Sequence, residues 1–233
     1  MVWKKHLIFA FVVVAGWLRL LLRRTELGFK LLLLPGTGRF RTVMGLWKAS
    51  AGTIRYNGAD ITRTATPDLA RLGVAYVPEN MGIFAGLTVK ENLLLAAREK
   101  ALDAKRLDWI FGLFPAMQKF WSALAGNLSG GQKQMLAIAR AIVEPRTLLL
   151  IDEPTKGLAP AIIAGMIEAF RELKRAQTTL LVVEQNFHFA SSLGDTVAVM
   201  DSGRIVHTGS MQALASDEAL QQHLLGLSLG AHQ

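Results

Sequence analysis

The sequence predicts an α/β protein with a mostly parallel core sheet, a helical subdomain at about residues 88–128 and a small antiparallel portion. From Thr42 onward, strand-like apolar runs alternate with helical patterns, which is typical of a parallel sheet. Two of these runs, at 147–151 and 178–183, are apolar along nearly their whole length, as strands covered on both faces are. The 233 residues, 51% of them hydrophobic, can build one sizeable core.

Short strands are predicted before the helical subdomain. Residues 52–58 alternate in polarity and end in Asn57-Gly58, a pair typical of hairpin turns. Residues 72–77 read as a buried strand that Pro78 ends, because proline cannot donate a hydrogen bond to a neighbouring strand. These two segments supply the antiparallel portion and the first strand of the parallel sheet.

The helical subdomain begins with a defined helix start. Thr88 is a favoured cap residue, and Glu91 three positions later completes a capping box. Residues 103–120 carry apolar side chains at helical spacing and are interrupted near Pro115. The elements predicted after it are, in order, a helix from Ser129, a strand at 147–151, a helix at about 161–176, a strand at 178–183, a hairpin of 196–200 and 204–208, and an amphipathic helical tail at 211–227.

The net charge of +8 is concentrated at one end of the chain. Residues 1–42 contain eight Lys or Arg and a single acid, Glu26, whereas the remaining residues contain 18 basic and 17 acidic side chains. Because the body is nearly neutral, the sequence predicts no nucleic-acid partner. The chain has no cysteine, which excludes disulfides, thiolate metal sites and a cysteine nucleophile.

The basic segment at residues 1–41 is atypical and admits three interpretations. Its apolar run at 7–18 follows two lysines, as in a secretory signal or weak membrane anchor, and is too short to span a bilayer as a helix. The second run, at 31–34, could instead be a strand at a genuine start of the domain. In the third interpretation, a shifted reading frame or misplaced start has replaced the original residues.

Two acidic residues follow the strand at 147–151. Asp152 and Glu153 are expected at the carboxyl end of a parallel strand, the edge where α/β proteins bind ligands. Asp152 can hold Mg²⁺ through water, and Glu153 can orient or deprotonate an attacking water. On its own, the pair is explained equally well by a solvated acidic turn.

A second pattern begins the helix at Ser129. Ser129-Gly130-Gly131 exposes backbone N–H groups at a helix start, where a phosphate is favoured. An ordinary serine cap with flexible glycines would explain this stretch alone. The helix and the Asp-Glu strand that follow it in order favour the phosphate-binding interpretation.

These patterns resemble motifs of the ATP-binding cassette (ABC) subunits of membrane transporters. Residues 128–132 (LSGGQ) resemble the signature motif, residues 148–153 resemble the Walker B motif, and the resemblance extends over roughly 42–227. Glu79 stands where most cassettes have the Q-loop glutamine, and Gln185 where most have the switch histidine. Both variants are similar to the ATP-binding subunits of branched-chain amino acid importers.

The resemblance implies an ABC-type, P-loop NTPase-like core that binds ATP and Mg²⁺ and couples ATP hydrolysis to the uptake of branched-chain (hydrophobic) amino acids. Its implied partners are transmembrane permease subunits, a second cassette and, indirectly, a substrate-binding protein. Its implied location is peripheral, at the cytoplasmic face of the inner membrane. The implied site residues are Glu153 and Gln185 in catalysis, Asp152 at the metal, and Glu79, Ser129, Gly130, Gly131 and Gln132 at the nucleotide.

The sequence departs from the family because it contains no phosphate-binding loop of the form GxxxxGK[ST] (Walker A). Aligning Arg41-Thr42 with the Lys-Thr of that loop puts Phe40 at the required glycine and Pro35, which lacks an N–H, at the first glycine. We therefore expect the family domain to span 42–233 and its own ATPase activity to be doubtful. A frame disruption and a genuinely degenerate subunit both remain open.

Two other classes compete with the importer. A non-transporting ABC ATPase usually carries two cassettes in one chain, which is more than 233 residues can hold. A membrane-anchored, non-catalytic binding subunit is suggested by the apolar run at 7–18. A non-catalytic cassette that completes a partner's ATP site through its signature motif is the alternative to a working ATPase.

Overall fold

The computed structural model describes residues 10–15, 36–201 and 204–225. In these ranges the strands are β1 (Ala10–Ala15), β2 (Arg55–Tyr56), β3 (Ala59–Asp60), β4 (Val74–Val77), β5 (Leu148–Asp152), β6 (Thr179–Glu184), β7 (Thr196–Asp201) and β8 (Arg204–Ser210). The helices are α1 (Gly36–Val43), α2 (Thr66–Arg71), α3 (Val89–Ala96), α4 (Ala104–Leu113), α5 (Pro115–Lys119), α6 (Gly130–Ala141), α7 (Pro160–Arg175), α8 (Phe187–Leu193), α9 (Met211–Ser216) and α10 (Glu218–Leu225), with a 3-10 turn at Ala125–Asn127.

Six strands form one sheet in the order β4-β5-β6-β1-β7-β8. β4, β5 and β6 are parallel, with Val74 opposite Leu148 and Leu148 opposite Thr179. β7 and β8 form the predicted antiparallel hairpin, with a bulge between Val199 and Met200. The α/β architecture and its parallel core are therefore confirmed.

β1 lies between β6 and β7 and is antiparallel to both. It belongs to the apolar run at 7–18, whereas the strand predicted at 31–34 lies outside the described residues. The three interpretations of residues 1–41, and the division of the chain into domains, stay predictions.

Among the described residues, no helix has the length and apolarity needed to cross a bilayer.

The predicted hairpin at 52–58 forms between β2 and β3. Asn57 and Gly58 both have positive φ, +49° and +83°, as a two-residue hairpin turn requires. Three helices, α1, α2 and α8, were not predicted. α2 has a proline in its first turn, and α8 begins where the Asn186 side chain accepts a hydrogen bond from the Phe189 N–H.

Helices α3, α4 and α5 and the 3-10 turn occupy the stretch predicted as a helical subdomain. The capping box of α3 is present: the Glu91 N–H donates to the Thr88 hydroxyl, and the Thr88 N–H donates to the Glu91 carboxylate at 2.7 Å. α4 and α5 meet at Pro115, the predicted interruption. The helical tail predicted at 211–227 consists, over its described residues, of two helices, α9 and α10, which Asp217 separates.

Both faces of β5 are covered by apolar clusters. Leu149 and Ile151 belong to the larger cluster, which includes buried residues of α6, α7 and α8. Leu148 and Leu150 belong to a smaller cluster with Phe40 of α1 and Tyr56 of the hairpin. All five residues of β5 are buried, and the carboxylate of its last residue, Asp152, is therefore shielded from solvent as well.

Candidate functional site

The candidate site begins where β5 leaves the sheet. Asp152 is the last residue of β5, and the Glu153 N–H still donates to the Val183 carbonyl of β6 at 2.8 Å. The backbone of Glu153 has φ +46°, a left-handed conformation that is energetically unfavourable for residues other than glycine. Such conformations are concentrated at functional sites, and here the turn directs the chain across the carboxyl edge of the sheet.

Asp152 is buried, with 1% of its surface exposed. Neither of its carboxylate oxygens has a hydrogen-bond partner among the described residues. Burial, followed by the negative charges of Glu153 and Glu79, raises the pKa of Asp152 to about 7. A buried carboxylate without donors is costly, and a bound cation would relieve that cost.

Mg²⁺ is the cation that this environment fits. In the described part of the chain, no three His, Cys, Asp or Glu residues are grouped so as to hold a metal ion. Mg²⁺ does not need such a group, because it keeps several waters and takes further ligands from substrate phosphates. Asp152 therefore fits the role of a lone protein carboxylate at a phosphate-bound magnesium ion.

Glu153 is held by two neighbours. The Gln185 side-chain amide donates to its Oε1 at 2.6 Å, and the Lys156 ammonium lies 3.4 Å from its Oε2. Lys156 also forms an ion pair with Glu79, and the hydrogen bond to Glu79 and the charge of Glu153 raise its pKa. Lys156 thus bridges the carboxylates of Glu79 and Glu153, although it belongs to none of the motifs identified in the sequence.

Sequence analysis missed Glu184, the last residue of β6. This carboxylate is 2% exposed and accepts three backbone hydrogen bonds, from Thr155 at 3.1 Å, Gln185 at 2.8 Å and Asn186 at 2.9 Å. It therefore ties the loop after β5 to the loop after β6, which carry Glu153 and Gln185. The available signal was an acid at the end of an apolar strand, where burial is tolerated only if donors surround the carboxylate.

α1 covers the other side of Asp152. Phe40 of α1 is 3% exposed and packs edge-to-face on Tyr76, with ring centroids 6.0 Å apart. The Tyr76 hydroxyl is buried and has no hydrogen-bond partner among the described residues. Burial, followed by the charge of Asp152, raises the pKa of Tyr76 to about 12. A phenyl ring thus stands in the smaller core cluster at the position that the Lys-Thr alignment would require to be glycine.

A cavity of about 280 Å³ opens beside α1. This is slightly below the ~300–1,000 Å³ of ordinary small-molecule sites. Its lining residues are Arg41, Tyr76, Glu79 and Asn80. The Arg41 guanidinium lies over the Trp47 ring at 5.1 Å and is the one cation in that lining.

The Ser129 pattern forms the start of α6. The Ser129 hydroxyl accepts from the Gln132 N–H at 3.3 Å, and the Gln132 side-chain oxygen accepts from the Ser129 N–H at 2.9 Å. Ser129 and Gly130 are exposed, and a Cβ on Gly130 would meet no atom within 4 Å. Gly131 is buried, and a Cβ there would lie 2.9 Å from Ile162 Cγ2 of α7. Gly130 thus leaves open space for a ligand, whereas Gly131 is needed for helix packing.

The predicted residues fall into two groups. One group lies at the carboxyl edge of the sheet and consists of Asp152, Glu153, Gln185 and Glu79. Gln185 binds Glu153 by a hydrogen bond, Lys156 pairs with Glu79, and the charges of the two glutamates act on Asp152. Residues 129–132 form a separate group at the start of α6. Among the described residues, no hydrogen bond or ion pair joins them directly to the carboxylates.

Comparisons with known proteins place the chain among ABC transporter proteins. A family model described as ABC transporter matches residues 37–156. The high-affinity branched-chain amino acid transport ATP-binding protein BraG of Pseudomonas aeruginosa is 37% identical over 187 residues, which cover 79% of this chain and 80% of that protein. The probable branched-chain amino acid transport ATP-binding protein LivF of Archaeoglobus fulgidus is 34% identical over 200 residues, which cover 82% of this chain and 84% of that protein.

Solved structures show the same fold. The ATP-binding cassette MJ1267 of an ABC transporter superposes with a TM-score of 0.67 at 22% identity, covering 83% of each chain. A structure described as the ATP binding subunit of an ABC transporter superposes with a TM-score of 0.66 at 27% identity, covering 84% of this chain and 82% of that one. Both matches include more than four fifths of either chain.

Proposed function

The chain belongs to the ABC transporter family, and on that basis we propose that it is the ATP-binding subunit of an importer for branched-chain (hydrophobic) amino acids. In this role it couples ATP binding and hydrolysis, within a pair of cassettes, to movements of the permease. The names of the relatives from P. aeruginosa and A. fulgidus support the substrate class, because each aligns over at least 80% of its own length. Glu79 and Gln185, the two subfamily variants, support it as well.

At the carboxyl edge of the sheet, each residue has a distinct task. Asp152 would hold Mg²⁺, which when bound neutralises phosphate charge. Glu153 would orient or deprotonate the attacking water, and Gln185 would hold Glu153 while facing the terminal phosphate. These tasks describe what the cluster would do if ATP were held beside it.

We further propose that this chain's own ATP site is impaired. The observation that carries this is the sequence itself, which has no GxxxxGK[ST] loop, and the burial of Phe40 supports it. Without that loop, ATP loses several charge-assisted hydrogen bonds, each contributing about 1.5–3 kcal/mol. Two such losses weaken binding by about a hundredfold or more.

The signature half-site is retained. In the family, ATP lies between the Walker motifs of one cassette and the signature motif of the other. Ser129 and Gly130 are exposed at a helix start with open space around them, which suits contact with phosphates held on a second chain. We propose that this chain completes the ATP site of an intact partner cassette.

A mixing experiment tests the proposal. The partner is an intact cassette whose own signature serine has been replaced by arginine, so that its homodimers are inactive. ATPase activity should then appear only when this chain is added, since Ser129 supplies the missing group. Ser129→Arg should abolish that activity and Glu153→Gln should leave it nearly unchanged. ATPase activity of this chain alone that disappears in Glu153→Gln would overturn the proposal.

We propose a peripheral position at the cytoplasmic face of the inner membrane, held by the transmembrane permease subunits. The substrate-binding protein acts on this chain only through them, and no nucleic acid is involved. Cell fractionation tests this placement. The chain should leave the membrane pellet when the permease genes are deleted, whereas a membrane-anchored subunit would remain in it.

A further inference from the structure

A single loop connects the carboxylate cluster with the helical subdomain. Residues 79–87, here called the 79–87 loop, run from the end of β4 to the cap of α3. At one end Glu79 forms the ion pair with Lys156. Met81 and Gly82 both have left-handed backbones, with φ +62° and +60°, so the loop turns sharply just after Glu79.

Two side chains from the helices hold this loop. Arg140, in the last turn of α6, donates through Nη1 to the Gly82 carbonyl at 2.5 Å, and its guanidinium lies 4.9 Å from the centroid of the Phe84 ring. Asn92 of α3 is fully buried, accepts from the Phe84 N–H at 2.9 Å and donates to the Phe84 carbonyl at 3.0 Å. Asn92 therefore attaches the loop to α3, and Arg140 attaches it to α6, here called the signature helix because it begins within residues 128–132.

The contact between Arg140 and Phe84 would be unfavourable if it served only to fill space, because it partly buries a charged group. The Arg140 Nε is buried without a hydrogen-bond partner among the described residues, and burial lowers the pKa of the guanidinium. An apolar side chain could cover Phe84 without burying a charge. What the guanidinium adds is the bond to the Gly82 carbonyl together with the cation–π contact, and both of these fix the loop relative to α6.

We propose that Arg140 is a positioning residue that locks the 79–87 loop to the signature helix, so that the loop and Ser129 move as one body. α6 runs unbroken from Gly130 to Ala141, and a displacement at Gly82 therefore reaches its first turn. The inference rests on the proposed function, in which ATP use is coupled to movements of the permease and Ser129 contacts ATP on the partner cassette.

The lock itself can be tested on the isolated full-length chain by amide hydrogen exchange. In Arg140→Met, the N–H groups of Met81 and Gly82 should exchange about tenfold faster or more, because one hydrogen bond from a charged donor is lost. The Phe84 N–H should keep its protection, because Asn92 still binds it. Arg140→Lys should recover part of the protection, and Arg171→Met, at an exposed arginine of α7, is the matched control. Unchanged exchange in Arg140→Met would overturn the proposal.

The transmission step is tested in the mixed assembly, reconstituted with permease subunits and substrate-loaded binding protein. Arg140→Met should keep most of the basal ATPase activity but lose at least half of the stimulation by the binding protein, and Arg140→Lys should restore part of it. Equal losses of basal and stimulated activity, or unchanged stimulation, would overturn the proposal. If Ser129→Arg has no effect, the proposed function fails instead, and the exchange result still decides whether Arg140 is the lock.

Discussion

Asp152 makes the stability of the folded chain depend on pH. Its pKa rises to about 7 in the folded state, compared with about 3.9 in an unfolded chain, so between these values the folded state binds more protons. Stability should therefore fall by roughly 3 kcal/mol as the pH rises from about 4 to about 7. Urea unfolding at several pH values measures the slope. Asp152→Asn should remove it and stabilise the chain near neutral pH, and a slope that survives this substitution would contradict the assignment.

Glu184 should be among the most sensitive polar positions. Glu184→Ala leaves three backbone N–H groups without their acceptor, and the one at Thr155 is buried, so we expect a loss of about 3 kcal/mol in the free energy of unfolding. Glu168→Ala is the matched control, since that side chain is exposed and pairs with Arg171 on the surface; it should change stability by at most about 0.5 kcal/mol. Equal effects in the two variants would show that Glu184 does not hold the loops.

The residues that sequence analysis identified and those it missed differ in the range of their contacts. Ser129 and Asp152 could be placed from local patterns, a helix cap and a strand followed by acids. Lys156 and Glu184 also make local contacts, but the contacts that tie loops together are distant in sequence, 77 residues for Lys156 with Glu79 and 29 residues for Glu184 with Thr155. No periodicity or spacing in a single sequence encodes such contacts.

At the scale of elements, the two glycines that begin α6 have different roles, Gly131 in packing and Gly130 in leaving space for a ligand. Gly131→Ala should destabilise the chain by roughly 1–3 kcal/mol, because the new Cβ would lie 2.9 Å from Ile162 Cγ2. Gly130→Ala should leave stability nearly unchanged but lower the ATPase activity of the mixed assembly, since the methyl group fills open space where phosphates would approach. Thermal unfolding and the mixed ATPase assay measure the two effects. A Gly130→Ala variant with full activity would contradict the phosphate-contact role.

Elements with strong local signals were predicted well. The capping box at Thr88, the interruption at Pro115 and the Asn57-Gly58 turn all follow from interactions within a few residues. The short helices α2 and α8 have six and seven residues, too few for a periodic pattern, and depend on tertiary packing for their stability. The break at Asp217 was missed because amphipathic spacing continues on both sides of it.

At the scale of the whole molecule, the two site groups lie on different elements, and within the described ranges no hydrogen bond or ion pair joins one group to the other. The carboxylates end parallel strands of the sheet, and Ser129 and Gly130 begin a helix that follows the helical subdomain. Such a division suits a protein whose sites are completed by a second chain. The parallel core was predictable because apolar strands alternate with helices, whereas the antiparallel β1 was not, since it lies in a run that resembles a signal or anchor.

The origin of residues 1–41 can be tested at the gene. If a frame disruption replaced the original start, another reading frame upstream of the Thr42 codon should encode a GxxxxGK[ST] loop. Sequencing of the locus provides this measurement. If no frame encodes the loop, the result favours the degenerate-subunit interpretation.

We propose that this chain supplies a signature motif but no nucleotide site of its own, and the number of trapped ATP molecules tests this claim most directly. The partner is an intact cassette whose catalytic glutamate is replaced by glutamine, so that ATP stays bound. Mixed pairs are purified through an affinity tag on this chain, and the bound ATP is counted per pair. We predict one ATP per pair, lost with Ser129→Arg. Two ATP molecules per pair would contradict the claim.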